Sequence, residues 1–325
     1  MLRFTHVLAA CLFANISIGA FAQTFPERSI TLVVPYSAGA GAGDIIGRKL
    51  AQKVSEKLGK AMIVDNKPGA DATIGAAYVI NARPDGYTLL EGDSGPLAIV
   101  PAMRKLNFDP ADLAPVGPLV ALPYALAVSP KLGVKTLADL IKLAKADPNA
   151  LNYASSSAMS ILGMELIKRR VGINVTHIPY SGATGALNSI LAGQTSMMVL
   201  NPVALKPFLD SGQLIAIAIG SPMRSPVLPD VPTFEQLGVS GVDVQIYMGV
   251  FAPPSTPTLV ITRLNSVVAE VMRDPAFRKD LESQGAVLLK EQTPAAFGLV
   301  MDGEREKWKR LVGEAGIGEK NGAQK

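Results

Sequence analysis

Residues Ile30 to Val54 read ITLVVPYSAGAGAGDIIGRKLAQKV: a β-branched strand, a Gly/Ala alternation, then apolar residues at helical spacing. A strand that ends in glycines lets a ligand reach the backbone without meeting side chains. The helix that follows offers first-turn N–H groups and the positive end of its dipole, an arrangement suited to a small anion. Four strand-to-helix turns share this chemistry: Ser37 to Gly43, Gly92 to Gly95, Ser155 to Ser160 and Ser181 to Thr184. None contains Lys or Arg. An acid held by them would meet backbone N–H groups, hydroxyls and helix ends rather than an arginine clamp.

Other chemistries meet obstacles in the residue inventory. Gly41, Gly43 and Gly47 open a helix and the next strand ends at Asp65, about where a dinucleotide fold places its ribose-binding acid. None of the seven tyrosines, however, has a lysine four residues on. A serine triad needs a histidine base, and beyond the first 22 residues His177 is the only histidine. Gly92-Asp93-Ser94-Gly95-Pro96 fails as a nucleophile elbow at its last position. No cluster of His, Cys and carboxylates has metal-ligand spacing. The reading is therefore a protein without catalysis, cofactor or metal.

Strand-like and helix-like segments alternate, which places the chain in the α/β class with a largely parallel sheet. Strands are expected at 30–34, 61–64, 87–90, 122–128, 151–154, 175–179, 197–200, 214–219 and 244–251. Helices are expected at 41–54, 72–81, 97–104, from Thr136, to Arg170, to Leu191, and over 258–272, 275–283 and 294–314. Two blocks joined by extended crossings near Tyr124 and Tyr247 suggest two lobes around a cleft, the arrangement that closes on a ligand by a hinge.

The first 22 residues carry Arg3, an apolar run from Val7 to Phe21 and the small residues Ala20 and Ala22, the anatomy of a secretory leader. Leu8-Ala9-Ala10-Cys11 has the form of a lipoprotein box, but a cut there would leave Leu12 to Ala22 apolar and unexplained. Removal of the leader takes away the only cysteine, and with it disulfides and thiolate chemistry. It leaves 30 basic against 27 acidic residues, from 31 and 27 in the full chain, without a basic stripe for nucleic acid. The longest later apolar stretch, Ala114 to Val128, is broken by Pro115, Pro118 and Pro123 and does not read as a membrane span.

Asp65-Asn66-Lys67-Pro68-Gly69-Ala70, Pro84-Asp85-Gly86-Tyr87-Thr88-Leu89-Leu90, His177-Ile178-Pro179-Tyr180, Leu228-Pro229-Asp230-Val231-Pro232-Thr233 and Phe251-Ala252-Pro253-Pro254 occur in an order and spacing that resemble the Bug receptors. These are the extracytoplasmic solute-binding proteins of tripartite tricarboxylate transporters. The resemblance covers essentially the whole chain after the leader. It implies a two-lobed, type II-like periplasmic-binding-protein fold with the ligand cleft between the lobes. The expected division is leader 1–22, lobe 1 over 23–123 plus 249–325, and lobe 2 over 124–248.

The resemblance also implies that the loop Tyr36, Ser37, Ala38, Gly39, Ala40 and Gly41 holds a ligand carboxylate. Ser94, Ser155, Ser157, Ser160, Tyr180, Ala183 and Asn201 complete the expected ligand set. Three departures from the family pattern stand out: a glycine loop one residue longer, and Ser196 and Leu200 where many relatives carry acids. With those acids gone, a carboxylate with an uncharged body is expected to bind better than an α-amino acid. The function implied is periplasmic capture of a small carboxylate by a monomer that serves a membrane permease. A sensory receptor for a two-component kinase and an NAD-binding oxidoreductase are the alternatives. The secreted protein is predicted to begin at Gln23, which the intact mass of the exported form checks; a diacylated Cys11 would overturn it.

Overall fold

The computed structural model describes residues 25–315 apart from 40, 148–150, 181 and 291–292. The leader with its cut site after Ala22, and Ala40 of the glycine loop, lie outside the described residues. Strands β1 (Ile30–Val34), β2 (Met62–Asn66), β3 (Thr88–Asp93) and β4 (Ala114–Pro123) precede β5 (Ala125–Val128), β6 (Asn152–Ser155), β7 (Thr176–Pro179), β8 (Met197–Leu200) and β9 (Ile215–Ile219). Strands β10 (Gln245–Ala252) and β11 (Val287–Leu288) follow. The helices are α1 (Gly41–Leu58), α2 (Thr73–Ile80), α3 (Val100–Met103), α4 (Leu137–Ala146) and α5 (Ala158–Val171). Then come α6 (Ala183–Ala192), α7 (Pro202–Asp210), α8 (Thr258–Arg273), α9 (Pro275–Ser283) and α10 (Pro294–Ala315).

The strands form two sheets, ordered β11-β4-β10-β3-β1-β2 and β7-β6-β8-β5-β9. The expectation of a largely parallel sheet is corrected. Parallel pairing is confined to β3-β1-β2 and β7-β6-β8, whereas β10 and β4 in the first sheet and β5 and β9 in the second pair antiparallel. The reason lies in the crossings. Ala114 to Val128 is one extended run that leaves the first sheet at Pro123 and enters the second at Ala125, and a strand that arrives without a crossover helix is free to pair antiparallel. Gln245–Met248 pair with Pro123–Val120, so these four residues belong to the first sheet rather than to the second block.

Other departures have equally local causes. The helix expected over 97–104 is a π turn over Gly95–Ile99 followed by the single turn α3, because Pro101 removes an N–H donor inside the run. Helix α7 begins at Pro202 under an Asn201 cap and carries Pro207 inside, which masks its period in the sequence. The Thr136 capping box does form: Thr136 Oγ1 accepts Asp139 N–H at 3.1 Å and Asp139 accepts Thr136 N–H at 3.2 Å.

Alternation along β3 and β10 sorts the first sheet's two faces. Leu89, Met248 and Val250 face a core shared with α1 and α8, whereas Leu90 and Phe251 face α2 and α10. Helix α10 ties the sheets together from that second face. Its Phe297 and Met301 pack on the first sheet, and its Trp308, Leu311 and Val312 join the second sheet's core. Trp308 is fully buried, and its indole N–H donates to Glu304 at 2.8 Å. No helix among the described residues is long and apolar enough to cross a membrane.

Close packing of α10 depends on Gly249. A Cβ there would meet Phe297 Cε1 at 2.2 Å and the Gly117 carbonyl oxygen at 2.7 Å. Gly249→Ala is predicted to destabilise the protein by about 1–3 kcal/mol, the usual cost of overpacking, as a lower denaturant midpoint at unchanged slope.

Candidate functional site

Tyr36 follows β1 and lies between the sheet edge and α1. Its ring presses on the first turn of that helix at Gly43, where a Cβ would stand 2.6 Å from Tyr36 Cδ2. Its hydroxyl donates a short hydrogen bond to Asp93 Oδ2, and Asp93 Oδ1 accepts Gly95 N–H at 2.6 Å. Beside this pair a cavity of about 360 Å³ opens between the sheets. The α1 side of the first sheet supplies Tyr36, Ala42, Gly43, Ile45, Asp93, Leu122, Ile246 and Met248. Tyr124 comes from the crossing, Asn201, Val203 and Ala204 from the second block, and Gln284 from the end of α9. Residues from the first turns of α1 and α7 thus border one space. Asn201 caps α7, its Oδ1 accepting Val203 N–H at 2.8 Å.

The glycine loop is shaped by Asp44. This buried carboxylate accepts Gly39 N–H at 2.7 Å, Asn66 Nδ2 at 2.7 Å and Arg48 Nε at 2.9 Å. Burial alone would raise its pKa, but the Arg48, Asn66 and Gly39 donors outweigh it and hold it at about 2. The Gly39 N–H that sequence reasoning left for a ligand is therefore occupied by the protein's own carboxylate.

Two other acids share the α1 face of β3. Asp93 is almost fully buried, and burial lifts its carboxyl to about 6 despite the Tyr36 and Gly95 hydrogen bonds. Glu91, two residues back, is fully buried with neither oxygen hydrogen-bonded. Burial first, and then the negative charges of Asp93 and Asp44, push its pKa well above the usual carboxylate range. The Tyr36 hydroxyl is raised by burial and by Asp93.

Of the expected ligand residues, Tyr36 and Asn201 meet at this cavity. Ser155, Ser157 and Tyr180 line a different one, about 310 Å³, with Asp71, Val100, Met103 and Arg104. That second cavity lies beside the 95–103 segment and the approach to α2, on the side of the first sheet away from α1. Ser37, Ala38 and Gly39 are exposed, Gly41 begins α1, and Ala183 is exposed at the start of α6. Ser94 is buried, with its Oγ accepting Tyr247 N–H at 3.1 Å. Ser160 Oγ accepts Ser156 and Ser157 N–H at 3.1 and 3.0 Å, closing the α5 cap.

Ser196 stands at the opposite end of β8 from Asn201, where its N–H donates to Asn152 Oδ1 at 2.8 Å. The four residues of β8 lie between it and Asn201, a span of roughly 16 Å, so Ser196 does not line the cavity. Leu200 packs in the second sheet's core instead of lining the space.

Sequence reasoning missed Asp93, Gln284, Val203 and Ala204. Asp93 was detectable: period-2 alternation puts it on the Leu89 face, whereas Ser94 falls past the strand end. His177 does reach a serine, with Nε2 at 2.5 Å from Ser155 Oγ and its ring stacked on Tyr153 at 4.8 Å. Burial lowers the His177 pKa, which keeps the imidazole neutral. No group of three or more metal-ligating residues is present among the described residues.

The family model described as the tripartite tricarboxylate transporter family receptor matches residues 46–317. The chain belongs to this family. Among solved structures it is similar to R. palustris Rpa4515 with adipate, at 32% identity and a TM-score of 0.79 over 90% of this chain and 99% of that one. MatC from Rhodopseudomonas palustris with bound malate matches at 30% identity and a TM-score of 0.75 over 89% and 100%. The periplasmic binding protein BugD matches at 30% identity and a TM-score of 0.75 over 90% and 99%. The fold of this receptor is accordingly the α/β, two-sheet fold of periplasmic binding proteins.

The raised pKa of Asp93 has a stability consequence. From about 3.8 unfolded to about 6 folded, the folded state binds more protons, so stability falls as pH rises through this window and stays reduced above it. Asp93→Asn is therefore predicted to raise unfolding free energy at about pH 8 by about 1–3 kcal/mol, with the gain gone by about pH 4. Denaturant titration at the two pH values checks this.

Proposed function

We propose that the protein is a periplasmic receptor that binds a small organic carboxylate between two lobes and delivers it to the permease of a tripartite transporter, without catalysing a reaction. The observation that carries this reading is the cavity bordered by the first turns of α1 and α7, one from each sheet's layer. Helix N-termini from opposite sides suit a ligand with acidic groups, and about 360 Å³ suits a small molecule. The adipate and malate bound in two structures similar to this chain along nearly their whole length support the ligand class. The name of BugD supports the compartment.

The two lobes divide at the crossings. We place residues up to 123 and from 245 onward in one lobe and 124–244 in the other, which moves Gln245–Met248 to the first lobe because they pair with β4. The family's role in uptake favours a permease over a sensor kinase as partner, and we infer a monomer that closes around its ligand. Asp93 places an acid in the cavity wall, whereas Ser196 and Leu200 lie outside it.

A thermal-shift screen of small mono- and dicarboxylates tests the reading. Ligand at about a hundred times its Kd is expected to add about 2.7 kcal/mol and raise Tm by several degrees. A screen in which no carboxylate shifts Tm would overturn it.

A further inference from the structure

The cavity assigned to the ligand holds an acid where an anion is expected. Among the described residues that line it, Asp93 is the one carboxylate, and none is Lys, Arg or His. The hydrogen-bond donors to Asp93, the Tyr36 hydroxyl and the Gly95 N–H, are both neutral. Behind it on the same strand face, Glu91 has no hydrogen-bond partner. The groups around the pair are Tyr36 from the glycine loop, Tyr124 from the crossing and Asp44 from α1, whose charge is answered by Arg48. Across the cavity Asn201 and Gln284 are neutral, and β10 contributes only Ile246 and Met248. An ionised ligand carboxylate beside an ionised Asp93 would thus set two like charges together, largely removed from water, with no cation in the wall.

We propose that Asp93 determines what the cavity accepts by making capture proton-coupled: a carboxylate enters together with one proton, which Asp93 shares with it. This rests on the carboxylate reading above. The proton comes from solvent and forms an O–H bond on Asp93, which then donates to the ligand carboxylate. The Tyr36 hydroxyl, released from the oxygen it serves in the unliganded protein, turns to the ligand as a second donor. Burial already brings Asp93 to about 6, so the proton is accessible near neutral pH. Glu91 behind it has no partner, and burial pushes its carboxyl up toward the neutral form, which limits the opposing charge.

Calorimetry with adipate on the intact protein, between about pH 6.5 and about pH 8.5 where both adipate carboxyls are ionised, tests the coupling. Two buffers of different ionisation enthalpy at each pH give the number of protons taken up. Uptake approaching one proton per ligand is expected, with Kd weakening up to about tenfold per pH unit. Asp93→Asn should bind adipate with no uptake and a flat pH profile. Adipate binding by the unmodified protein with zero uptake and a constant Kd would overturn the inference while leaving the carboxylate reading intact. Uptake that persists in Asp93→Asn would overturn the assignment to Asp93. Should neither adipate nor any other small carboxylate bind at any pH, the carboxylate reading fails, and this inference with it.

Discussion

Three backbones meet at the point where the chain passes between its sheets, and the position of the cavity follows from that junction. Tyr124 N–H donates to the Val244 carbonyl at 2.9 Å, Gly220 N–H to the Tyr124 carbonyl at 2.8 Å, and Val244 N–H to the Gly220 carbonyl at 2.7 Å. The ring of bonds satisfies groups that would otherwise lose their ladder partners as each strand leaves its sheet. It requires glycine at its centre, since a Cβ on Gly220 would lie 2.8 Å from Val244 Cβ. With the crossings pinned, the C-terminal ends of β3 and β8 and the first turns of α1 and α7 come to one side, and Tyr124 itself becomes part of the cavity wall.

Helix α10 bridges the two halves beside this junction. It lies on the face of the first sheet away from α1, and its final turns belong to the second sheet's core. Lys307 extends the tie, meeting Asp243 at 3.0 Å and Glu304 at 2.5 Å. A buried tryptophan and a paired lysine thus fasten the two sheets together away from the α1-side cavity.

The sequence made the fold legible wherever one element produced one pattern. Met197–Leu200 and Pro275–Ser283 fall at the boundaries predicted, because each is flanked by strong punctuation: Asn201-Pro202 after the strand, and the Asp274 cap with Pro275 before the helix. Strand β4 was hidden because Pro115, Pro118 and Pro123 read as breaks; its antiparallel partner β10 tolerates them through register shifts at Met248/Gly249 and Val250/Phe251. Strand direction was equally hidden, since a period reports a face and not a partner. At the site, the glycine loop was visible as residue types at an element end, whereas Asn201 entered only through the family resemblance and its capping role came from the structure. What failed was the inference that Gly- and Ser-rich turns share a cleft. Ser94 and Ser160 satisfy the protein's own N–H groups, and Asp44 takes one from the glycine loop. A turn that looks like an anion cradle in sequence is often a turn whose donors are already used, and only the tertiary partners reveal which.

The two acids of the glycine loop and its neighbouring strand show how environment divides one chemistry into two roles. Asp44 and Asp93 are both buried carboxylates near the first turn of α1. Asp44 has a guanidinium, an amide and a backbone N–H, and its charge is secured; the loop geometry depends on it. Asp93 has two neutral donors and an unpartnered acid behind it, so its charge is held at a cost. A wall built of arginine would bind an organic acid more firmly, but a receptor that must hand over its ligand gains nothing from a complex that dissociates too slowly. Helix ends attract the acid and Asp93 opposes it. The balance between them, rather than either alone, sets how firmly such a wall can hold an acid.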